Sequence, residues 1–182
     1  MAQYKAFDPN VEVLGEVVLS FVDVMGAFRR LALDILATHG IKDPRRDQWY
    51  PQQAWLNSFK TIAEQIGPNT LSQLARQIPI SAKATEQYVE IHNLEQALST
   101  LDMAYRSVHR GGEVGHYTFT KTGERVGRLE TPNPNPCDFD RGLLDSLCHR
   151  FEPANPYLNV AHLDELPCKQ QGADSCTFEI SW

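Results

Sequence analysis

The sequence predicts an α+β fold: N-terminal helices packed on a small antiparallel sheet whose elements run strand-strand-helix-strand-strand. Three observations predict it. Apolar residues in the first part of the chain recur at three- and four-residue steps, the period of a half-buried helix. Beyond Gly111-Gly112 that period gives way to short alternating segments set off by glycine and proline. The closing stretch alternates cleanly, with Cys176, Phe178, Ile180 and Trp182 on one side and Thr177, Glu179 and Ser181 on the other. With 182 residues, 42% of them hydrophobic and 22% charged, the chain suits one domain with a substantial core. A mainly helical part spans 1–112. The sheet, its helix and a cysteine cluster span 113–182.

The first helix is expected over 11–39, on Val11, Leu14, Val18, Phe21, Val22, Met25, Phe28, Leu31, Ala32 and Ile35. Asp8-Pro9 suits its start and His39-Gly40 its stop. Its other face is sparsely charged, so it is covered on more than one side, by its own domain or by a homodimer seam. Trp55, Phe59, Ile62 and Ile66 form a second helix, closed by Gly67-Pro68. Asn69 then caps a short helix ending before Pro79. A longer helix runs from about Thr85 to His109 on Tyr88, Ile91, Leu94, Leu98, Leu101 and Tyr105. GHYTFT and RVGRLET read as two strands joined by a turn at Gly123. After the prolines at 132, 134 and 136, a helix places Phe139, Leu143, Leu147 and Phe151 on one face. Tyr157–Leu163 and residues 174–182 supply the last two strands.

A net charge of −6 with scattered basic residues argues against a nucleic-acid footprint. The start, MAQYKAFDPN, lacks the basic and apolar regions of a signal peptide, and no apolar run is long enough to span a bilayer. The expected setting is cytoplasmic, where cysteines serve as thiols or metal ligands more often than as disulfides. No G-x-S-x-G, Walker A, H-E-x-x-H or G-x-G-x-x-G motif occurs, and Asp138 and Asp140 read as helix-start charges rather than an acid/base pair. A catalytic role is therefore not expected.

The four cysteines all lie in the last third. Cys168 and Cys176 flank a turn at Gln171-Gly172, Glu165 lies three residues before Cys168, and Cys137 opens the last helix. Three thiols and a carboxylate make a sensible tetrahedral zinc set. The spacing alone leaves alternatives open. Cys176 and Cys148 suit core positions equally well, because free cysteine is among the most buried residue types, and Cys168 and Cys176 could form a disulfide.

The tail PCDFDRGLLDSLCHRF…ELPCKQQGADSCTFEISW resembles the 4-vinyl-reductase domain superfamily, on Cys137 with Gly142, Glu165 with Cys168, Gly172, and Cys176-Thr177-Phe178-Glu179-Ile180. That superfamily is similar in fold to haem–nitric-oxide/oxygen-binding sensors and to subunits of vesicle-tethering particles. The resemblance implies structural zinc at Cys137, Glu165, Cys168 and Cys176. It also implies a pocket for a small hydrophobic or aromatic ligand between helices and sheet. A homodimer is expected from the sparsely charged first helix, with output through a signalling partner protein or the dimer interface. Trp55, Tyr88, Tyr105, His109, His116, Tyr117 and Phe119, with Trp49, are candidate lining residues. Haem is the alternative. His109, at the end of the long helix, stands where a proximal histidine is expected, but GRLETPNPNPC lacks the Tyr-x-Ser-x-Arg motif that holds the propionates. The reading from sequence is therefore a non-catalytic ligand-binding sensor with zinc and with haem disfavoured. A ligand-free scaffold subunit is the remaining alternative.

Overall fold

In a computed structural model the described residues are 3–67, 69–77 and 91–182. The order is β1 (Glu12–Leu14), α1 (Gly15–Val24), α2 (Arg29–Thr38), β2 (Trp49–Pro51), α3 (Gln52–Ile66), α4 (Thr70–Ala75), α5 (Leu94–Ser107), β3 (His109–Arg110), β4 (Thr118–Gly123), β5 (Val126–Glu130), α6 (Cys137–Phe151), β6 (Asn159–His162) and β7 (Thr177–Ser181). The α+β class and the strand-strand-helix-strand-strand order of the second part are as the sequence predicts. Strands β4 to β7 form one antiparallel sheet in the order β4-β5-β7-β6. Its inward face carries Leu129, Cys176, Phe178 and Ile180, none of them exposed to solvent.

The expected helix over 11–39 is two helices preceded by a strand. Gly26 takes φ +51°, a left-handed conformation that glycine adopts at no steric cost, and a single 3-10 turn over Gly26–Phe28 separates α1 from α2. Asp8 does not cap a helix. Its carboxylate accepts from the Asn10 amide at 2.8 Å, and the chain then enters β1. β1 pairs antiparallel with both β2 and β3, making a second, three-stranded sheet that the helical period conceals. α5 begins later than expected for a local reason: the Asn93 side chain accepts from the Gln96 amide at 2.9 Å, a standard N-cap. The stretch 78–90, with Tyr88 and the expected start of that helix, lies outside the described residues.

Among the described residues two apolar clusters fill the interior. The first joins α1, α2, α3 and α4 around the rings of Phe21, Trp55, Phe59 and Phe139. The second lies between α5, α6 and the four-stranded sheet, around Leu98, Leu129, Leu144, Phe178 and Ile180. α6 belongs to both, because Phe139 faces the first cluster and Leu144, Leu147 and Cys148 face the second. Gly142 lets α4 approach: a Cβ at that position would run into the Ser72 carbonyl and the Ala75 methyl. Among the described residues no helix is long and apolar enough to cross a membrane.

Candidate metal centre and ligand site

The start of α6 and the segment from β6 to β7 bring Cys137, His162, Cys168 and Cys176 together. One ligand atom from each lies within 4.8 Å of all the others. The three cysteines are buried and His162 is partly buried. Pro136 sets the extended entry to α6, so Cys137 is its first residue. Gly172, at φ +95°, turns the chain between Cys168 and Cys176. The Cys168 and Cys176 sulfurs are 3.6 Å apart, and the Lys169 amide donates to Cys176 Sγ at 3.3 Å.

These contacts divide the sulfurs electrostatically. Hydrogen bonding from Cys137 pulls the Cys176 thiol down to about 5 against the effect of burial, with help from the Lys169 amide, His162 and the Lys169 charge. The same hydrogen bond, then burial, drives Cys137 up, and burial raises Cys168. Cys176 is thus the most acidic sulfur of the group. Burial works against a proton on His162, but Cys176 and Asp164 outweigh it and raise its pKa. His162 Nδ1 lies 2.8 Å from an Asp164 carboxylate oxygen, so Nδ1–H donates. Nε2 is buried and makes no close hydrogen bond. A carboxylate that fixes the tautomer of a ligating imidazole is the usual outer support of a metal site. Three sulfurs and one imidazole suit a soft or borderline ion in tetrahedral geometry.

Glu165, expected among the ligands, is exposed and outside this group, and His162 stands in the fourth place. His162-x-Asp164 was the available signal, but an isolated histidine on a short strand carries little weight. Cys148 is a core residue, fully buried and held as a thiol, with its pKa pushed up to about 12 chiefly by burial.

Beside the sulfurs runs a buried polar network that the sequence did not reveal. Lys169 Nζ donates to Asp140 Oδ2 at 2.6 Å, to Asn133 Oδ1 at 3.1 Å and to the Asn133 carbonyl at 3.3 Å, and both charged side chains have no exposure at all. Asp140 Oδ1 accepts from the Tyr117 hydroxyl at 2.7 Å, and Asn135 Nδ2 donates to the same hydroxyl at 3.3 Å. Asp140, expected as a helix-start charge, is therefore an interior group.

Of the expected ligand-lining residues, Tyr105, His109 and Tyr117 come together. The Tyr105 and Tyr117 rings meet edge-on at 5.2 Å, and His109 lies 4.2 Å from the Tyr105 ring. The Tyr105 hydroxyl donates to the Val114 carbonyl at 2.6 Å and accepts from Gln52 Nε2 at 3.4 Å, while Gln52 Oε1 is buried without a partner. His109 Nδ1 lies 2.8 Å from the Tyr105 carbonyl, which can only accept, so the proton is on Nδ1 and the lone pair on Nε2. Burial lowers the His109 pKa to about 4, leaving a neutral imidazole at pH 7. Trp55 belongs to the first apolar cluster, away from this trio. Phe119 packs on the second cluster and lies against Gly127, His116 is partly buried with its amide on the Pro132 carbonyl, and Trp49 is covered by the Arg110 guanidinium.

No family model and no curated protein matches the chain, so the 4-vinyl-reductase resemblance is not confirmed. Solved structures do match. A crystal structure of an H-NOX protein from S. oneidensis in the Fe(II)NO ligation state shares 14% identity over 92% of this chain and 98% of that one, with a TM-score of 0.71. An oxygen-binding H-NOX domain related to soluble guanylate cyclases, in its oxygen complex, shares 13% over 92% and 93%, with a TM-score of 0.66. A structure described as modulating haem redox potential through protein-induced porphyrin distortion shares 12% over 93% and 99%, also at 0.66. The fold is therefore that of H-NOX domains, and the expected relation to haem-sensor folds holds. These matches correct the order of cofactors drawn from the sequence, zinc first and haem disfavoured. The matched structures are described by an Fe(II)NO ligation state, an oxygen complex and a haem redox potential, and nothing supports zinc beyond the four-residue cysteine–histidine group.

Proposed function

We propose that this chain is a non-catalytic, haem-binding sensor of a small diatomic gas, with His109 as the protein ligand to the iron. The observation that carries the reading is a partly buried, neutral His109 with a free Nε2 lone pair, set directly after α5 in a chain sharing the H-NOX fold over 92% of its length. An iron ligand must be an unprotonated imidazole whose other nitrogen is held by an acceptor, and His109 meets both conditions. Tyr105, Tyr117 and Val114 supply the aromatic and apolar surroundings that such a site needs. Bound there, haem would supply the iron position at which NO or O2 coordinates. The chain departs from the haem-sensor pattern in lacking Tyr-x-Ser-x-Arg. The buried side chains of Thr131, Asn133 and Asn135 occupy the stretch before α6 instead, and propionate anchoring falls to other groups. Output passes to a partner protein.

Titration of the purified chain with haemin tests the reading. A saturable Soret band is expected, at one haem per chain, with the axial signature lost in His109→Ala and restored by free imidazole. A band that never saturates, or one indifferent to His109→Ala, would overturn it.

A second reading is favoured by the convergence of Cys137, His162, Cys168 and Cys176, and it is independent of the first. These residues form a closed, four-donor site for a soft or borderline metal ion, structural rather than catalytic because all four positions come from protein. Added Co²⁺ should give thiolate-to-metal charge-transfer bands that saturate at one ion per chain. Cys176→Ala and His162→Ala should abolish or alter them, while Glu165→Gln leaves them unchanged. Equal loss in Glu165→Gln would restore the carboxylate to the site and remove His162.

A further inference from the structure

The four donors come from two separate stretches of chain. Cys137 opens α6, whereas His162, Cys168 and Cys176 sit on the β6–β7 segment. A donor group split in this way works only if something holds its halves in register. The geometry points to the buried Lys169–Asp140 ion pair as that clamp. Asp140 lies one turn beyond Cys137 on α6, and Lys169 follows Cys168 directly. Their 2.6 Å contact therefore spans the two segments beside the sulfurs. At its other end Lys169 touches the group itself, because its amide donates to Cys176 Sγ at 3.3 Å. One residue thus fixes Cys176 through its backbone and α6 through its side chain.

Two features mark the pair as a positioning device. Burying two charges costs about as much as their attraction returns, so a pair with no exposure adds little net stability and is better suited to selecting one arrangement over its neighbours. Its hydrogen bonding is also complete: three acceptors surround the three ammonium protons, and Tyr117 takes the second carboxylate oxygen. A further polar link between the two segments, Gln170 Nε2 to Asp138 Oδ2 at 3.0 Å, is exposed and weak by comparison. The clamp deepens the four-donor reading, but it rests on the placement of the sulfurs and not on any ion bound there.

Disulfide trapping in metal-free protein tests it without reference to metal. Diamide oxidises two thiols to one disulfide, and its N=N bond takes up the two electrons and two protons to become the hydrazine. Cys168–Cys176 closes within one segment, whereas Cys137–Cys176 closes only if the two segments are in register. Peptide mapping should find both bridges in the native chain. In the Lys169→Met, Asp140→Asn double variant, which leaves no unpaired charge, the ratio of Cys137–Cys176 to Cys168–Cys176 should fall by about tenfold or more as the effective concentration of Cys137 drops. An unchanged ratio in a folded double variant overturns the clamp. Gln170→Ala keeps the question decidable should the double variant not fold. Its ratio should match the native chain, and a comparable fall there would assign the register to the exposed link. Co²⁺ binding fails or succeeds separately from all of this, so loss of the metal reading and loss of the clamp are told apart.

Discussion

His109 and Lys169 are both basic side chains in the interior, and the fold treats them in opposite ways. Lys169 is given a carboxylate and two further acceptors, whereas His109 is given a carbonyl on Nδ1 and held neutral by burial. The sign of the resulting pH dependence follows. The His109 pKa falls from 6.5 to about 4 on folding, so between those values the unfolded chain binds a proton that the folded chain does not. Stability from this residue is complete above about pH 6.5, declines as the pH falls, and is lower by about 3 kcal/mol once pH 4 is passed. Chemical denaturation of haem-free protein at stepped pH should show that slope, and His109→Gln should remove it. Lys169 predicts a different pattern. Lys169→Met strands the Asp140 carboxylate and should cost about 3–5 kcal/mol, while adding Asp140→Asn should recover most of the loss. Additive losses in the double variant would mean that the two residues act separately. Residue type alone marked the three sulfurs that the structure brings together. Sequence reading missed the role of Asp140 because its partner is 29 residues away, and at a helix start an interior carboxylate looks like an ordinary dipole charge.

Among the elements, α6 shows how far local pattern carries. Its start after Pro136 was legible, but the one apolar face expected for it is divided, with Phe139 and Leu143 on the first cluster and Leu147 and Phe151 on the second. Its tight packing on α4 was not legible, because the neighbour of Gly142 is a backbone carbonyl far earlier in the chain. Alanine has the higher helix propensity by up to about 1 kcal/mol, so local reasoning expects Gly142→Ala to stabilise. The Ser72 carbonyl and Ala75 methyl leave no room for the added carbon, and overpacking of this kind costs about 1–3 kcal/mol. Gly142→Ala should therefore lower the denaturation midpoint, and a raised midpoint would show that α4 moves aside freely. The region 11–39 teaches the same lesson from the other side. Its apolar spacing is truly helical for α1 and α2, and it hides β1 because the partners of β1 at Trp49–Pro51 and His109–Arg110 are distant in sequence.

For the whole molecule the decisive feature is that α6 belongs to both apolar clusters. The sequence suggested a helical part joined to a sheet part, and also a homodimer seam to cover the first helices. The structure covers that apolar stripe from within: Val18, Phe21, Val22, Ala32, Ile35 and Leu36 are buried among α1 to α4 of the same chain. With Phe139 packed on Phe59 in one cluster and Leu144, Leu147 and Cys148 set in the other, neither cluster can lose α6 and keep its packing. The two parts should therefore unfold together. Leu144, with no exposure, faces the sheet-side cluster, and Leu144→Ala should cost about 2–5 kcal/mol through the cavity it leaves. Trp55 belongs to the helical cluster and not to the one that would hold the cavity, while the near-ultraviolet signal of Tyr117 and Trp182 reports on the sheet side. If the molecule is one cooperative unit, both transitions shift by the same amount in Leu144→Ala and their midpoints coincide. A Trp55 transition that stays in place while the sheet-side signal moves would divide the chain into two units.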